Sequence, residues 1–223
     1  MTIDKDTLPI EDNIPITYMG GTGGVFLCHL IVSAKENNKH VIDLSTHGNA
    51  HENGLVDIKC SVHGIRDTDI DKINFILSQS VKTNAQKPYY TLMHVAELSN
   101  IVQYFKKSIR ITYDLDDSDE LSKIMIAKVG IDSRVLELND KLNVVKKRMN
   151  IKMGFHTYNC KFNKEDYSNV LFISWKELFK ENVDDLLLKL SKFTNIDIDN
   201  FSKESVIHWR EKTQYGIDTI VDI

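Results

Sequence analysis

The stretch PITYMGGTGGVFLCHL, residues 15–30, sets Gly20, Gly21, Gly23 and Gly24 between a short β-branched run and an apolar segment with helical spacing. Leu27, Leu30, Ile31 and Ala34 share one face of the helix that this spacing predicts over residues 25–36. A strand, a glycine-rich turn and a helix in that order form the unit where an open parallel sheet presents its backbone to ligands. Glycines let successive amide groups converge with no Cβ in the way, and the helix N-terminus adds partial positive charge. Phosphate or sulfate is the chemistry such a turn suits. The same glycines suit a plainer use as well, a tight turn that only lets the first helix pack on its sheet. The turn is not GxxxxGK[ST], because Val25 and Phe26 stand where that loop carries lysine and a hydroxyl residue, and it is not GxGxxG. Without the lysine the usual route to magnesium-nucleotide hydrolysis is missing.

Outward from this turn, strand and helix patterns alternate. IPITYM is the first strand and HVIDLS, residues 40–45, the second, followed by the loop THGNAHENG. Asp67 or Thr68 caps a helix running to about residue 81, PYYTLMHV is the third strand, a helix covers residues 97–105, and SIRITYD is a clearly alternating fourth strand. A helix opens at Ser118, a basic helix spans residues 135–149, and VLFIS is an apolar strand running straight into WKELF. Ser174 and Glu177 have the spacing of a capping box, and Leu178, Leu186, Leu190 and Phe193 continue a helical apolar face. SKESVIHWREKTQYG closes the chain as a helix. Strands separated by too many residues for hairpins imply parallel pairing. The expected fold class is therefore α/β, a three-layer sandwich around a central, mostly parallel sheet of about five strands, in a single domain over residues 1–223 with a polar arm at residues 1–13.

Composition narrows the function classes. The 223 residues are 42% hydrophobic and 27% charged, as in ordinary globular proteins, with no run of 18 apolar residues. The acidic start MTIDKDTLPIEDN lacks the regions of a secretion signal, so a cytoplasmic location is expected. Cys28, Cys60 and Cys160 form no CxxC pair and read as reduced thiols. The formal net charge of -4 gives no global attraction to nucleic acid or to an anionic membrane. Lys141, Lys146, Lys147, Arg148 and Lys152 beside Leu142, Val145 and Met149 read as the wet side of an amphipathic helix.

Taken together, the order of pieces resembles the P-loop sulfotransferase superfamily, a branch of the nucleotide-kinase-like α/β folds. That family opens with a strand and a loop of the type G-x-P-[RK]-S-G-T-[TS], and MGGTGGVF occupies its place here, Gly24 matching the loop glycine. The family's third strand ends in K-[ST]-H, and YYTLMHVAEL puts His94 there. KSIRITYDLDDSDELSKIM resembles in outline the unit that holds the 3′-phosphate, with Arg110 and Ser122 as its candidates. VLFISWKELFKENVDDLLLKLSKFTNI looks like the family's closing V-L-x-[VIL]-x-Y-E-[DE]-L unit, the most specific of these matches. The resemblance implies a donor, 3′-phosphoadenosine-5′-phosphosulfate, cradled by Gly20, Gly21, Thr22, Gly23, Gly24 and Val25, with His94 as catalytic base. It implies a small-molecule or glycan acceptor and no metal. The departures are Thr22 and Gly23 in place of a basic residue and a serine, Val25 and Phe26 in place of two hydroxyl residues, and Tyr113 and Asp114 where Arg-Asp/Asn is the pattern. The glycine-rich basic segment that closes the cofactor site in many members has no counterpart, since HWREKTQYG offers Arg210 and Lys212 without its spacing.

Other constellations are weaker. His47 and His51 are spaced i, i+4, but Gly48 between them argues against a stable helix, and a metal needs further ligands that only folding could bring, such as Glu52, His63 and His94. A polar loop is the simpler reading. Trp175, Trp209 and Tyr113 read as packing residues, and DLDDSDE as an acidic helix start that complements the dipole. Three functions stay open: sulfuryl transfer, phosphoryl transfer by a divergent small-molecule or nucleotide kinase, and a catalytically inactive module kept for binding or assembly.

Overall fold

A computed structural model describes residues 13–18, 23–37, 62–65, 89–93, 104–113 and 164–218. Among them five strands pair in parallel in one sheet: β1 (Asn13–Thr17), β2 (Val62–Ile65), β3 (Tyr89–Met93), β4 (Ser108–Thr112) and β5 (Val170–Ser174). Their order across the sheet is β2-β3-β1-β4-β5. Helix α1 (Gly24–Lys35) leaves β1, and α2 (Trp175–Phe179), α3 (Val183–Thr194) and α4 (Lys203–Asp218) follow β5. The α/β class and the parallel sheet of five strands agree with the sequence expectation.

The register divides the sheet into two faces. Ile14 and Ile16 of β1 lie beside Tyr90 and Leu92 of β3, Ile16 beside Ile109, and Ile109 and Ile111 of β4 beside Leu171 and Ile173 of β5. These side chains join α1 and the buried residues of α2, α3 and α4 in one apolar cluster. All of α1 is buried except Val25 and Lys35, which makes it a core helix rather than a surface one. The alternate residues, Asn13, Thr17, Thr91, Ser108 and Arg110, are polar and equally buried. Thr91 donates to Asn13 Oδ1 at 3.1 Å and Thr17 to the Ile109 carbonyl at 3.3 Å, so this second face is tied by hydrogen bonds. Burial of both faces of the central strands is what a three-layer fold requires.

Pro15 has no N–H to give, yet it sits in the middle strand. The backbone N–H of Tyr18 donates to the Met93 carbonyl at 3.0 Å, so by strand alternation the even residues of β1 face β3 and Pro15 faces β4. Pairing of β1 with β4 begins only at Ile16, one residue beyond the proline.

Three sequence expectations are corrected. The strand seen on the β2 edge is Val62–Ile65, between the loop THGNAHENG and the helix expected from residue 68, where the sequence reading places no strand. Its four residues include Gly64 and show no apolar alternation, and only pairing with β3 makes it a strand. Tyr104 lies in a turn and Phe105 outside regular structure, so no helix reaches residue 105. The apolar face from Leu178 to Phe193 belongs to two helices, because α2 ends at Phe179 and the Asn182 side chain, accepting from the Asp184 N–H at 2.9 Å, opens α3 anew. The strand expected at residues 40–45 and the helices expected over 68–81, from 118 and over 135–149 lie outside the described residues.

Candidate functional site

Strand β1 is where the chain reverses its direction across the sheet. It leaves β1 for β2 at the edge, returns through β3 and then crosses to β4 on the other side. The carboxyl end of a strand at such a switch point is open to ligands. Thr17 ends β1 there, with Met93 of β3 and Arg110 of β4 at the same level.

The turn resumes at Gly23, whose φ of 89° and ψ of 4° are left-handed, a conformation that glycine adopts without steric cost. Its carbonyl accepts the Leu27 N–H at 2.9 Å and so starts α1. Among the described residues no side chain caps this helix, and no acidic residue stands in its first turn. The first amides of a helix have no intrahelical acceptor, and together with the macrodipole they favour an anion.

Each of the turn's two described glycines is also required by packing. A Cβ on Gly24 would collide with the Tyr18 ring, closest to its Cγ and Cδ1. A Cβ on Gly23 would lie 2.8 Å from Leu178 Cδ2 and 2.8 Å from Trp209 Cη2. Phe26, in the same first turn, stacks on Trp209 with centroids 4.1 Å apart and planes 2° from parallel, and Phe179 packs on the same indole with centroids 4.5 Å apart. The turn is therefore framed by Tyr18 just past β1, Leu178 from α2 and Trp209 from α4. Sequence reasoning finds none of the three as part of the turn. Trp175, Trp209 and Tyr113 are buried, as their reading as packing residues expects.

Arg110 is 1% exposed on the polar face of β4, level with the end of β1. Arg210 is committed elsewhere: its Nε donates to the Leu178 carbonyl at 2.9 Å, Nη1 to Glu181 at 2.6 Å and Nη2 to Glu177 at 2.6 Å. It satisfies the orphan carbonyls at the end of α2, the need that a helix C-terminus leaves. At the other end of α2 the capping box is complete, Ser174 Oγ accepting from the Glu177 N–H and Glu177 from the Ser174 N–H. Burial pushes the Glu177 carboxyl up, but hydrogen bonds from Lys189 and Ser174 and the Lys189 charge outweigh it, leaving the group below the usual carboxylate range.

Of the sequence candidates, Gly23, Gly24 and Val25 come together at the start of α1, and Arg110 lies on the neighbouring strand. Gly20, Gly21, Thr22, His94 and Ser122 lie outside the described residues, as do His47, His51, Glu52, Asp114 and the basic stretch from Lys141 to Lys152. His63 falls in β2. Among the described residues no three His, Cys, Asp or Glu side chains gather to hold a metal, and no helix is long and apolar enough to cross a membrane.

No protein-family model and no curated protein matches the chain. Among solved structures it is similar to retinol dehydratase in a complex with retinol and PAP, at 12% identity and a TM-score of 0.43, over 90% of this chain and 64% of that one. It is similar also to retinol dehydratase in complex with androsterone and inactive cofactor PAP, at 12% identity and a TM-score of 0.38, over 92% of this chain and 65% of that one. The chain thus spans just under two-thirds of the length of these chains.

Proposed function

We propose that the protein is sulfotransferase-like and moves a sulfuryl group from 3′-phosphoadenosine-5′-phosphosulfate to a hydroxyl or amine of a small-molecule or glycan acceptor. One observation carries this reading: among the described residues the central strand of a parallel sheet leads, at its switch point, through a left-handed Gly23 into a helix with no side-chain cap and no acid in its first turn. Main-chain donors with no acidic residue in their own helical turn fit a doubly charged phosphate. In this reading the amides of residues 20–25 hold the donor's 5′ end, and Arg110 and Ser122 serve its 3′-phosphate. The donor, when bound, supplies an activated sulfuryl group. His94 follows Met93, the residue opposite Thr17, and takes the proton of the acceptor hydroxyl as its oxygen bonds to sulfur and the sulfur–phosphate oxygen bond breaks.

Calorimetric titration with 3′-phosphoadenosine-5′-phosphate, beside ATP with magnesium, tests the reading. Binding of the first alone is the expected outcome, and binding of magnesium-ATP alone would favour a kinase instead. A second reading, an inactive binding or assembly module, is favoured by the packing demand on Gly23 and Gly24, which gives both glycines a purpose without a ligand. Binding of neither nucleotide would establish it over the first.

A further inference from the structure

The sequence gives Trp209 no part in a turn that lies at the other end of the chain, yet its indole stands where a residue 23 side chain would be. It touches the turn in two ways. The far edge of the six-membered ring, Cη2 and Cζ2, abuts Gly23, and the ring plane covers Phe26 in the first turn of α1. The next residue, Arg210, clasps three carbonyls at the end of α2, one of them that of Leu178, the other side chain against Gly23. Consecutive residues of α4 thus fix both the turn and the helix that backs it. The indole is 6% exposed, so the contact is a packed one.

We infer that Trp209 is a positioning residue for the anion site at the β1–α1 turn, an inference that rests on the sulfotransferase-like reading. Gly23 has a left-handed backbone and no side chain to restrain it, and glycine is the residue with most conformational freedom to lose. The indole edge and Leu178 supply that restraint from outside, holding Gly23 and the first amides of α1 in one orientation before a ligand arrives. Preorganisation of this kind raises affinity by removing the ordering cost from the binding step. The coupling is reciprocal: what the docking of α4 contributes to anion binding, the anion returns to the docking of α4.

The test compares wild type, Trp209→Phe and Val170→Ala by calorimetry with 3′-phosphoadenosine-5′-phosphate. Phenylalanine keeps a ring against Phe26 and lacks the edge that reaches Gly23. Val170 begins β5 at the amino end of the sheet, away from the turn, and its truncation reports a general loss of stability. The expected result is affinity weakened about tenfold or more by Trp209→Phe and unchanged by Val170→Ala. Equal affinity in wild type and Trp209→Phe, or equal weakening by both variants, would overturn the inference. In wild type, ligand should also slow amide hydrogen exchange across residues 203–211, and unchanged exchange in the bound protein would overturn it even if Trp209→Phe fails to fold. Absence of binding by wild type removes the anion site itself and the inference with it, whereas binding that ignores Trp209 removes the inference alone.

Discussion

Gly23 and Gly24 are each denied a side chain, for different reasons. At Gly24 a methyl meets the Tyr18 ring, which is itself held in the core between β1 and α1, so Gly24→Ala is expected to destabilise by about 1–3 kcal/mol or more through overpacking. Gly23→Ala adds the left-handed backbone, about 1–2 kcal/mol, to its collision with Leu178 and Trp209. Urea unfolding measures both, and either variant at wild-type stability would contradict the packing described. Glu177 gives a pH-dependent prediction. A carboxyl held below its ordinary value contributes stability that is present above the unfolded pKa, about 4.3, and lost as pH falls through the folded one. Wild type should therefore lose stability on acidification below that value more steeply than Glu177→Gln, as read from urea midpoints across the acid range. In the proposed reaction, His94→Ala should lower turnover by roughly a hundred- to ten-thousand-fold while leaving nucleotide affinity unchanged. At this scale the sequence displays the glycines and His94, and it cannot say whether a glycine is there for an anion or for a neighbour's ring. The neighbour is what decides, and Trp209 is remote in the chain.

Among the elements, the short helix α2 depends most on outside help. Five residues are too few to stand alone in water, so its caps and its buried Trp175, Leu178 and Phe179 sustain it. Ser174 and Glu177 cap one end from within, and Arg210 of α4 caps the other. Arg210→Met keeps the aliphatic stem and removes the donors, and a loss of about 1–3 kcal/mol is expected for the carbonyls left without them. Amide exchange across residues 175–181 should rise in that variant more than exchange in α3. The first cap is legible in the sequence because its partners are three residues apart. The second is not, because α4 brings Arg210 to α2 only after α3 has turned the chain back. The same distinction explains β2, whose four residues acquire their strand character from β3 rather than from a pattern of their own.

For the whole molecule, a ligand that binds the folded form alone raises stability with the logarithm of its free concentration once that exceeds the dissociation constant. Free 3′-phosphoadenosine-5′-phosphate at a hundred times its dissociation constant should add about 2.7 kcal/mol. In a chain of this size each kcal/mol raises the melting temperature by about 2–4 °C. A thermal melt unmoved by the nucleotide would contradict the proposed donor site. The alternation of Ile14 and Ile16, of Ile109 and Ile111, and the helical spacing from Leu27 to Ala34 determine by themselves that strands and helices alternate around a parallel sheet, since burial imposes a period that the chain carries locally. The glycine turn and the Ser174 box are determined in the same way, by backbone chemistry that reaches only a few residues. The strand order, the placing of Arg110 beside the end of β1, and the frame of Tyr18, Leu178 and Trp209 around Gly23 and Gly24 were decided only by the tertiary structure. These are contacts between segments distant in the chain, and packing of that kind leaves no periodic trace in either partner.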